Sequence, residues 1–477
     1  MGALVGFATA LFGVYWDDAW HTDRGRDDLF SPPHLSLYAG VAVVVAVVIW
    51  WAWQRRGDRA VASGPVGLAV AGAMFTLASA PVDEWWHQAF GRDAVLWSPP
   101  HLAAVAGTIA LGTGVAFIAT ARTGVGNTLV GGAAGAAVIG AWQVLVLEYD
   151  TDVAQFSPLW YLPVMATGLA AAAITVQAAG SHRVRWPATW AGVVFTLAMA
   201  GVYVGLDSAG FSTPVVPLVL PALAVADLGR RMQWVMPLRT AVFVAALFAT
   251  YWPYLGAVPG GVQPTLGDAA AGAVLAVIGV AAVLVVMDPA ARFALRRAPV
   301  TVLMALAVVV TTSTVGPPRA EAHDPGQGDE VTEVTLIAEV TDRVVSVEVV
   351  LAGDGDAGEP VRVVARRAGR TLTGPLAATP NGWTGRVDVD QDGRWFVYVE
   401  ARRGQQDVEA WIPVVAGSTS TASKEAAMYV VDTDDAVTSA QTIAGLILVA
   451  LTAALLGRIA AVVRAALFAR VTVAGSS

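Results

Sequence analysis

The 477-residue sequence has no cysteine, a single lysine (Lys424), six histidines and only 14% charged residues, against roughly 25% in soluble domains. The missing cysteines exclude disulfides, zinc–thiolate sites, iron–sulfur clusters and thiol nucleophiles, so any metal must be held by nitrogen and oxygen. The scarcity of charge excludes an ordinary water-soluble protein. Instead, 56% of the residues are hydrophobic, and apolar runs near the ~20 residues needed to cross a bilayer recur along the chain. The net charge of −8 is scattered over connections and one polar segment, which argues against a nucleic-acid partner and leaves the lipid bilayer as the principal one. No basic region precedes the first apolar run, so no cleavable signal peptide is expected.

What is present reads as an α-helical polytopic membrane protein. Twelve spans are predicted, at about 2–21, 32–53, 65–87, 99–121, 127–148, 158–179, 187–206, 212–228, 235–256, 267–287, 299–316 and 437–457. Arg55, Arg56 and Arg59, then Arg122, Arg183 and Arg185, Arg230 and Arg231, Arg292, Arg296 and Arg297, and Arg458 and Arg464 fall in alternate connections. The positive-inside rule then puts both termini in the cytoplasm of a bacterial plasma membrane. The intervening connections, including 17–31, 87–98 and 148–157, face outward.

Residues 317–436 change character: "EVTLIAEVTDRVVSVEVVLAG", "GWTGRVDVD" and "RWFVYVEARRG" alternate apolar with polar between Gly, Asp, Asn and Pro. This predicts a small extracytoplasmic antiparallel β-sandwich anchored by a helix on each side. Five regions follow: paired hairpins at 1–122, a third hairpin at 123–186, further spans at 187–316, the sandwich at 317–436 and an anchor with a cytoplasmic tail at 437–477. An Ala-Glu-Ala ahead of His323 resembles a cleavage site. Cleavage there would make His323 a terminal metal chelator, but ten preceding spans favour an internal anchor.

The histidines carry the chemistry. "WDDAWHTDRGRDDLFSPPHLSLYAG" from Trp16 and "PVDEWWHQAFGRDAVLWSPPHLAAVAG" from Pro81 put an acid, a histidine, Gly-Arg-Asp and Ser-Pro-Pro-His in one order. Asp17 with His21, and Asp83 with His87, are four apart and share a helix face, with Cβ atoms roughly 5–6 Å apart. Ser31 or Ser98 caps the next helix, proline suits its first position, and His34 or His101 falls in its first turn. Each hairpin thus offers one carboxylate and two imidazoles, a set suited to copper, zinc or non-haem iron with open positions. A lone histidine at a helix end is ordinarily structural; two equivalent triads using four of six histidines favour metal. Arg26 with Asp27 and Arg92 with Asp93 read as loop ion pairs or as supports for the ligands. Trp20, Trp85, Trp86 and Trp97 read as interfacial anchors. A third hairpin, "VLEYDTDVAQFSPLWYLP", has Trp160 in place of the histidine, and its Glu148, Asp150 and Asp152 read as a solvated acidic loop in preference to a cation site.

These hairpins resemble the C subunit of the copper membrane monooxygenases, the particulate methane and ammonia monooxygenase family, over about residues 10–120. The first shows that family's Asp-x3-His-x12-His, with Trp20, Arg26, Asp27, Phe30 and Pro32 in step; the second shows its x3 and x13 spacings, with Glu84, Trp85 and Pro99 alongside. The resemblance implies copper at Asp17, His21 and His34 and at Asp83, His87 and His101, with Arg26, Asp27, Glu84, Arg92 and Asp93 in support. Asp83 stands where the family has Asn, which adds negative charge to the second site. The implied activity is O₂-dependent hydroxylation of small apolar substrates, with monooxygenase-like subunits or a second copy of the chain as partners. The alternative is a non-catalytic protein that captures copper or passes it to and from a copper chaperone. A transporter is a third reading.

Overall fold

The computed structural model describes residues 1–24, 30–54, 64–90, 96–120, 127–180, 184–289, 327–351, 357–431 and 439–474, with the side chains of 87–90, 127, 327–328 and 470–474 outside that description. The helices are α1 (Gly2–Asp23), α2 (Pro32–Gln54), α3 (Pro65–Phe90), α4 (Pro99–Thr120), α5 (Asn127–Gln143), α6 (Leu147–Asp150), α7 (Tyr161–Ala179), α8 (Pro187–Ser208), α9 (Leu220–Arg231), α10 (Met236–Leu255), α11 (Leu266–Met287) and, after the sheet, α12 (Ser439–Ala474). Four of them open on proline, whose missing N–H costs nothing at a first helical position. Thr265 caps α11 by accepting from the Asp268 amide at 3.1 Å.

Nine described helical stretches are long and apolar enough to cross a membrane, where the sequence predicts twelve spans. The shortfall has three sources. The expected span 299–316 lies outside the described residues. The 22-residue α1 is long enough, but Asp17, Asp18 and Asp23 make it too polar to count among the nine. The expected span 212–228 is a short helix, α9, preceded by residues 211–219 without regular structure.

That third segment runs from the end of α1 to the corner between α7 and α8. The twelve residues of α9 rise only about 18 Å, short of a hydrocarbon core of ~30 Å, and an irregular stretch precedes them. It starts at the end of α1, where the Ser212 amide and hydroxyl both donate to Asp23 at 2.5 Å and Phe211 stacks on Trp20. It finishes where Asp227 accepts from Gln177 Nε2 at 3.0 Å and the Thr189 amide at 2.9 Å, between α7 and α8. Irregular backbone at membrane depth needs protein partners for its amides. Val215 meets that need by donating to the Asp150 carbonyl at 2.7 Å.

Residues 327–431 form a closed antiparallel barrel rather than a sandwich. Its strands β1 (Gln327–Thr341), β2 (Val344–Leu351), β3 (Glu359–Arg367), β4 (Arg370–Thr379), β5 (Gly382–Asp388), β6 (Gly393–Arg403), β7 (Gln406–Ala416) and β8 (Ser420–Val431) run in the order β1-β2-β5-β4-β3-β6-β7-β8. Closure comes from β1, whose 15 residues pair β2 along one edge, from Val334–Leu351 to Thr341–Val344, and β8 along the other. Alternating polarity states that one strand face is buried. It is silent on whether the outer strands meet. The interior is filled by Val334, Leu336 and Ala338 of β1, Val345, Val347 and Val349 of β2, Trp395, Val397 and Val399 of β6 and Val408, Ala410 and Ile412 of β7, as an eight-stranded barrel allows.

Candidate metal centre

The first two hairpins are built on the same glycines. Gly6 lies eleven residues before Asp17 and Gly72 eleven before Asp83, while Gly40 follows His34 by six and Gly107 follows His101 by six. A Cβ on Gly6 would sit 2.6 Å from the Gly40 carbonyl oxygen of α2, and one on Gly107 would sit 2.7 Å from the Thr76 amide of α3. Each helix pair therefore touches backbone to backbone at a fixed distance from its ligands. The duplication thus includes the scaffold as well as the histidines.

On that scaffold α2 brings His34 back onto α1. His34 Nε2 lies 3.1 Å from Asp17 Oδ1, and His21 Nε2 lies 3.9 Å from Asp17 Oδ2. One ligand atom from each of Asp17, His21 and His34 falls within 4.8 Å of the others. In the second hairpin His101 Nε2 lies 3.3 Å from Asp83 Oδ2, the counterpart of the His34–Asp17 contact. Ser98 Oγ is 3.0 Å from His101 Nδ1. With Nδ1 engaged by Ser98, Nε2 faces the carboxylate, where an imidazole either donates to Asp83 or shares a cation with it. The five described side chains of the two triads, Asp17, His21, His34, Asp83 and His101, are 21–33% exposed, so they are reachable from one end of the bundle.

Not every residue predicted from sequence can be placed. Arg26, Asp27, Arg92, Asp93, His323 and the side chain of His87 lie outside the described residues. The second triad is therefore seen as Asp83 with His101. Glu84 is exposed. Trp86 is buried, with its ring near Gly445 of α12, while Trp85 is 49% exposed. Trp20 stacks on Phe211 at the start of the irregular stretch, in addition to any interfacial role.

The third hairpin corrects the reading of a solvated acidic loop. Glu148, Asp150 and Asp152 are 4%, 0% and 5% exposed, and each has found protein partners. Glu148 accepts from the Leu96 amide at 2.8 Å, tying the loop of the second hairpin. Asp150 accepts from Tyr161 at 2.5 Å. Asp152 pairs with Arg367 of the barrel at 2.5 Å and accepts from the Arg394 amide at 2.8 Å. Burial pushes the Asp152 carboxyl up, and Arg367 and Arg394 pull against that shift without cancelling it. Placed on the spacing of the first hairpin, the ligand positions of the third are Gln143, Leu147 and Trp160. None of these side chains is an anionic or imidazole donor.

The barrel docks on this loop. Ala368 donates to the Ala154 carbonyl at 2.8 Å, and Val153 packs among Val364, Phe396, Tyr398 and Trp411. Asp152 (φ 60°) and Ala368 (φ 47°) both hold left-handed backbone at the contact, a conformation that persists only when surroundings over-determine it. The same loop holds the Arg394 amide and Arg367 of the barrel through Asp152 and, through Glu148, the Leu96 amide two residues ahead of Ser98. The barrel and both sites therefore share one end of the helical bundle. The signal for this face was the run "WFVYV" in β6, apolar on both sides where a solvated barrel strand alternates.

No family model matches the chain, and no curated protein or solved structure is similar to it at a significant level.

Proposed function

We propose that this chain is a copper-binding membrane protein, with two carboxylate–imidazole sites at the outer ends of paired helical hairpins. The observation that carries the reading is the convergence of Asp17, His21 and His34 within 4.8 Å. Asp17 supplies charge, His21 and His34 supply neutral nitrogen, and Asp83, His87 and His101 repeat the set. Copper suits this donor set, as do zinc and iron; the resemblance in spacing to the monooxygenase C subunit selects copper. Bound copper would supply either O₂ activation or reversible capture. For the protein's part, the glycine contacts fix the distance between ligand-bearing helices, and Ser98 orients His101.

On this reading the protein sits in a bacterial plasma membrane with both termini cytoplasmic and the barrel outside, on the side of the sites. The first reading of its activity is hydroxylation of a small apolar substrate, alone or with monooxygenase-like subunits. The second, copper capture and delivery to a soluble chaperone, is favoured by the partial exposure of the ligands. Metal analysis of the purified full chain tests the common part, with about two copper ions per chain expected and none overturning it. Copper-loaded membranes given reductant, isotopically labelled O₂ and a short alkane then divide the readings. Label in an alcohol supports the oxygenase, whereas transfer of copper to a soluble acceptor without label supports the carrier.

A further inference from the structure

The third hairpin has no ligand set of its own, yet one of its acids reaches the second site. Glu148, buried in the first turn of α6, accepts the Leu96 amide on Oε1 at 2.8 Å. Its backbone is fixed as well, since the Val153 amide donates to the Glu148 carbonyl at 2.9 Å. On the receiving side, the Leu96 side chain packs against the core of the bundle. Two residues further on, the buried Ser98 opens α4: its carbonyl accepts from the Leu102 amide at 3.0 Å, and its Oγ lies 3.0 Å from His101 Nδ1. His101 then presents Nε2 to Asp83 at 3.3 Å. A short relay of contacts joins Glu148 to a proposed metal ligand.

The corner needs such a brace. Leu96 and Trp97 form the turn that leads into α4, and a backbone amide in a partly buried turn needs an acceptor. Without Glu148 the turn would have to move to find one, and Ser98 would move with it. The other flank of the same corner is covered by α12, where a Cβ on Gly445 would meet Trp86 Cη2 at 3.5 Å and Pro99 Cγ at 3.7 Å. With Pro99 backed by α12 and Leu96 held by Glu148, the first turn of α4 is fixed from two sides while the His101 side chain stays 30% exposed. Outer partners that orient a ligating histidine commonly change metal affinity about 10–100-fold when they are removed.

We propose that Glu148 is a positioning residue for the Asp83–His101 site: through the Leu96 amide it fixes Ser98, and through Ser98 it fixes the angle of the His101 ring. The inference rests on the metal reading of the second hairpin and gives the hairpin without ligands a part in its neighbour's site. Glu148 itself binds no ion. What it supplies is an acceptor oxygen at the right reach, and because the group it holds is a neutral amide, reach matters more than charge.

Two conservative variants separate reach from charge. Glu148→Gln keeps the length of the side chain and an acceptor oxygen, whereas Glu148→Asp keeps the charge and withdraws the oxygen by the length of a methylene. In the metal-free full chain in membranes, labelling with diethyl pyrocarbonate followed by peptide mass spectrometry reads the accessibility of each histidine ring. Glu148→Asp should raise the rate at His101 severalfold and leave His21 and His34 unchanged, and Glu148→Gln should label as wild type does. Copper titration in a His21→Ala background, which isolates the second site, should show about tenfold weaker binding for Glu148→Asp and unchanged binding for Glu148→Gln. A His101 rate that Glu148→Asp leaves unchanged, or raises together with those of His21 and His34, would overturn the proposal. So would a defect in Glu148→Gln alone, which would assign the effect to charge, or a freed His101 with undiminished copper affinity. Wild type that takes up no copper would end the copper reading, and the metal-free labelling would still decide whether Glu148 orients His101.

Discussion

The first two hairpins and the third turn through the same Ser-Pro corner, yet they use their acids in opposite ways. Asp17 and Asp83 stay partly exposed and face imidazoles. Glu148, Asp150 and Asp152 are buried and face an amide, phenols and an arginine. The difference follows from what replaced the ligands. With Gln143, Leu147 and Trp160 at the three donor positions, the third hairpin has no cation site to build. Its loop instead became the peg on which the barrel sits. A repeat can thus keep its backbone turn and change its chemistry through three side chains.

The largest break in this comparison is loss of the ligands. His21→Ala with His87→Ala should take metal content from about two ions per chain to none, each single variant removing one. Metal analysis beside circular dichroism checks it; full retention of metal in the folded double variant would end the metal reading of both hairpins. The third hairpin has its own equivalent. Asp152→Ala leaves Arg367, 7% exposed, buried without a counter-charge, at a cost of about 3–5 kcal/mol. The barrel should detach and become protease-sensitive while metal content stays near two. The double variant Asp152→Ala, Arg367→Met should recover much of that loss. Protection as in wild type for Asp152→Ala alone would show that the ion pair does not hold the barrel.

How much of this could be read from the sequence depends on what was repeated. The approach of Asp17 to His21 and His34, and of Asp83 to His101, was legible because the i, i+4 spacing and the Ser-Pro-Pro-His corner each occur twice. The glycines at constant offsets were just as visible, but they carry meaning only once Gly6 is seen against Gly40. The acids of the third hairpin were misread because exposure was inferred from polarity. Tyr149 and Tyr161 beside them, and Arg367 more than 200 residues away, supply what water would otherwise have supplied. The barrel was misread because period-two alternation is common to sandwiches and barrels, and pairing of β1 with β8 is a long-range choice. In 212–228, mean apolarity suggested a helical span. Residues 211–219 are instead irregular ahead of the short α9, with Asp23, Asp150 and Asp227 as partners of the segment.

A smaller effect tests whether the duplicated scaffold sets the ligand geometry. Gly107→Ala puts a methyl group 2.7 Å from the Thr76 amide, which α3 and α4 can accommodate only by separating. Overpacking of this kind costs about 1–3 kcal/mol. The expected result is weaker metal binding at the Asp83–His101 site with the Asp17 site unchanged, read by titrating copper into each single-site background. Gly6→Ala should give the mirror outcome. Equal weakening of both sites by either variant would mean that the two hairpins move as one body.

The smallest expected effect is the sharpest statement about the third hairpin. Trp160→His restores the histidine of the Ser-Pro-x-His corner, and if the corner alone made the site, a third metal would bind. It should not. Gln143, at the Asp17 position, is neutral and 1% exposed, Leu147 at the His21 position is apolar and 4% exposed, and the nearby acids are already engaged. A single half-exposed imidazole without a carboxylate on the facing helix has nothing to chelate with. Metal analysis should stay at two per chain, with barrel docking intact. A third equivalent in Trp160→His would show that Glu148 or Asp150 can turn from its present partners toward an ion, and the separation drawn between the metal hairpins and the docking hairpin would then be one of occupancy rather than construction.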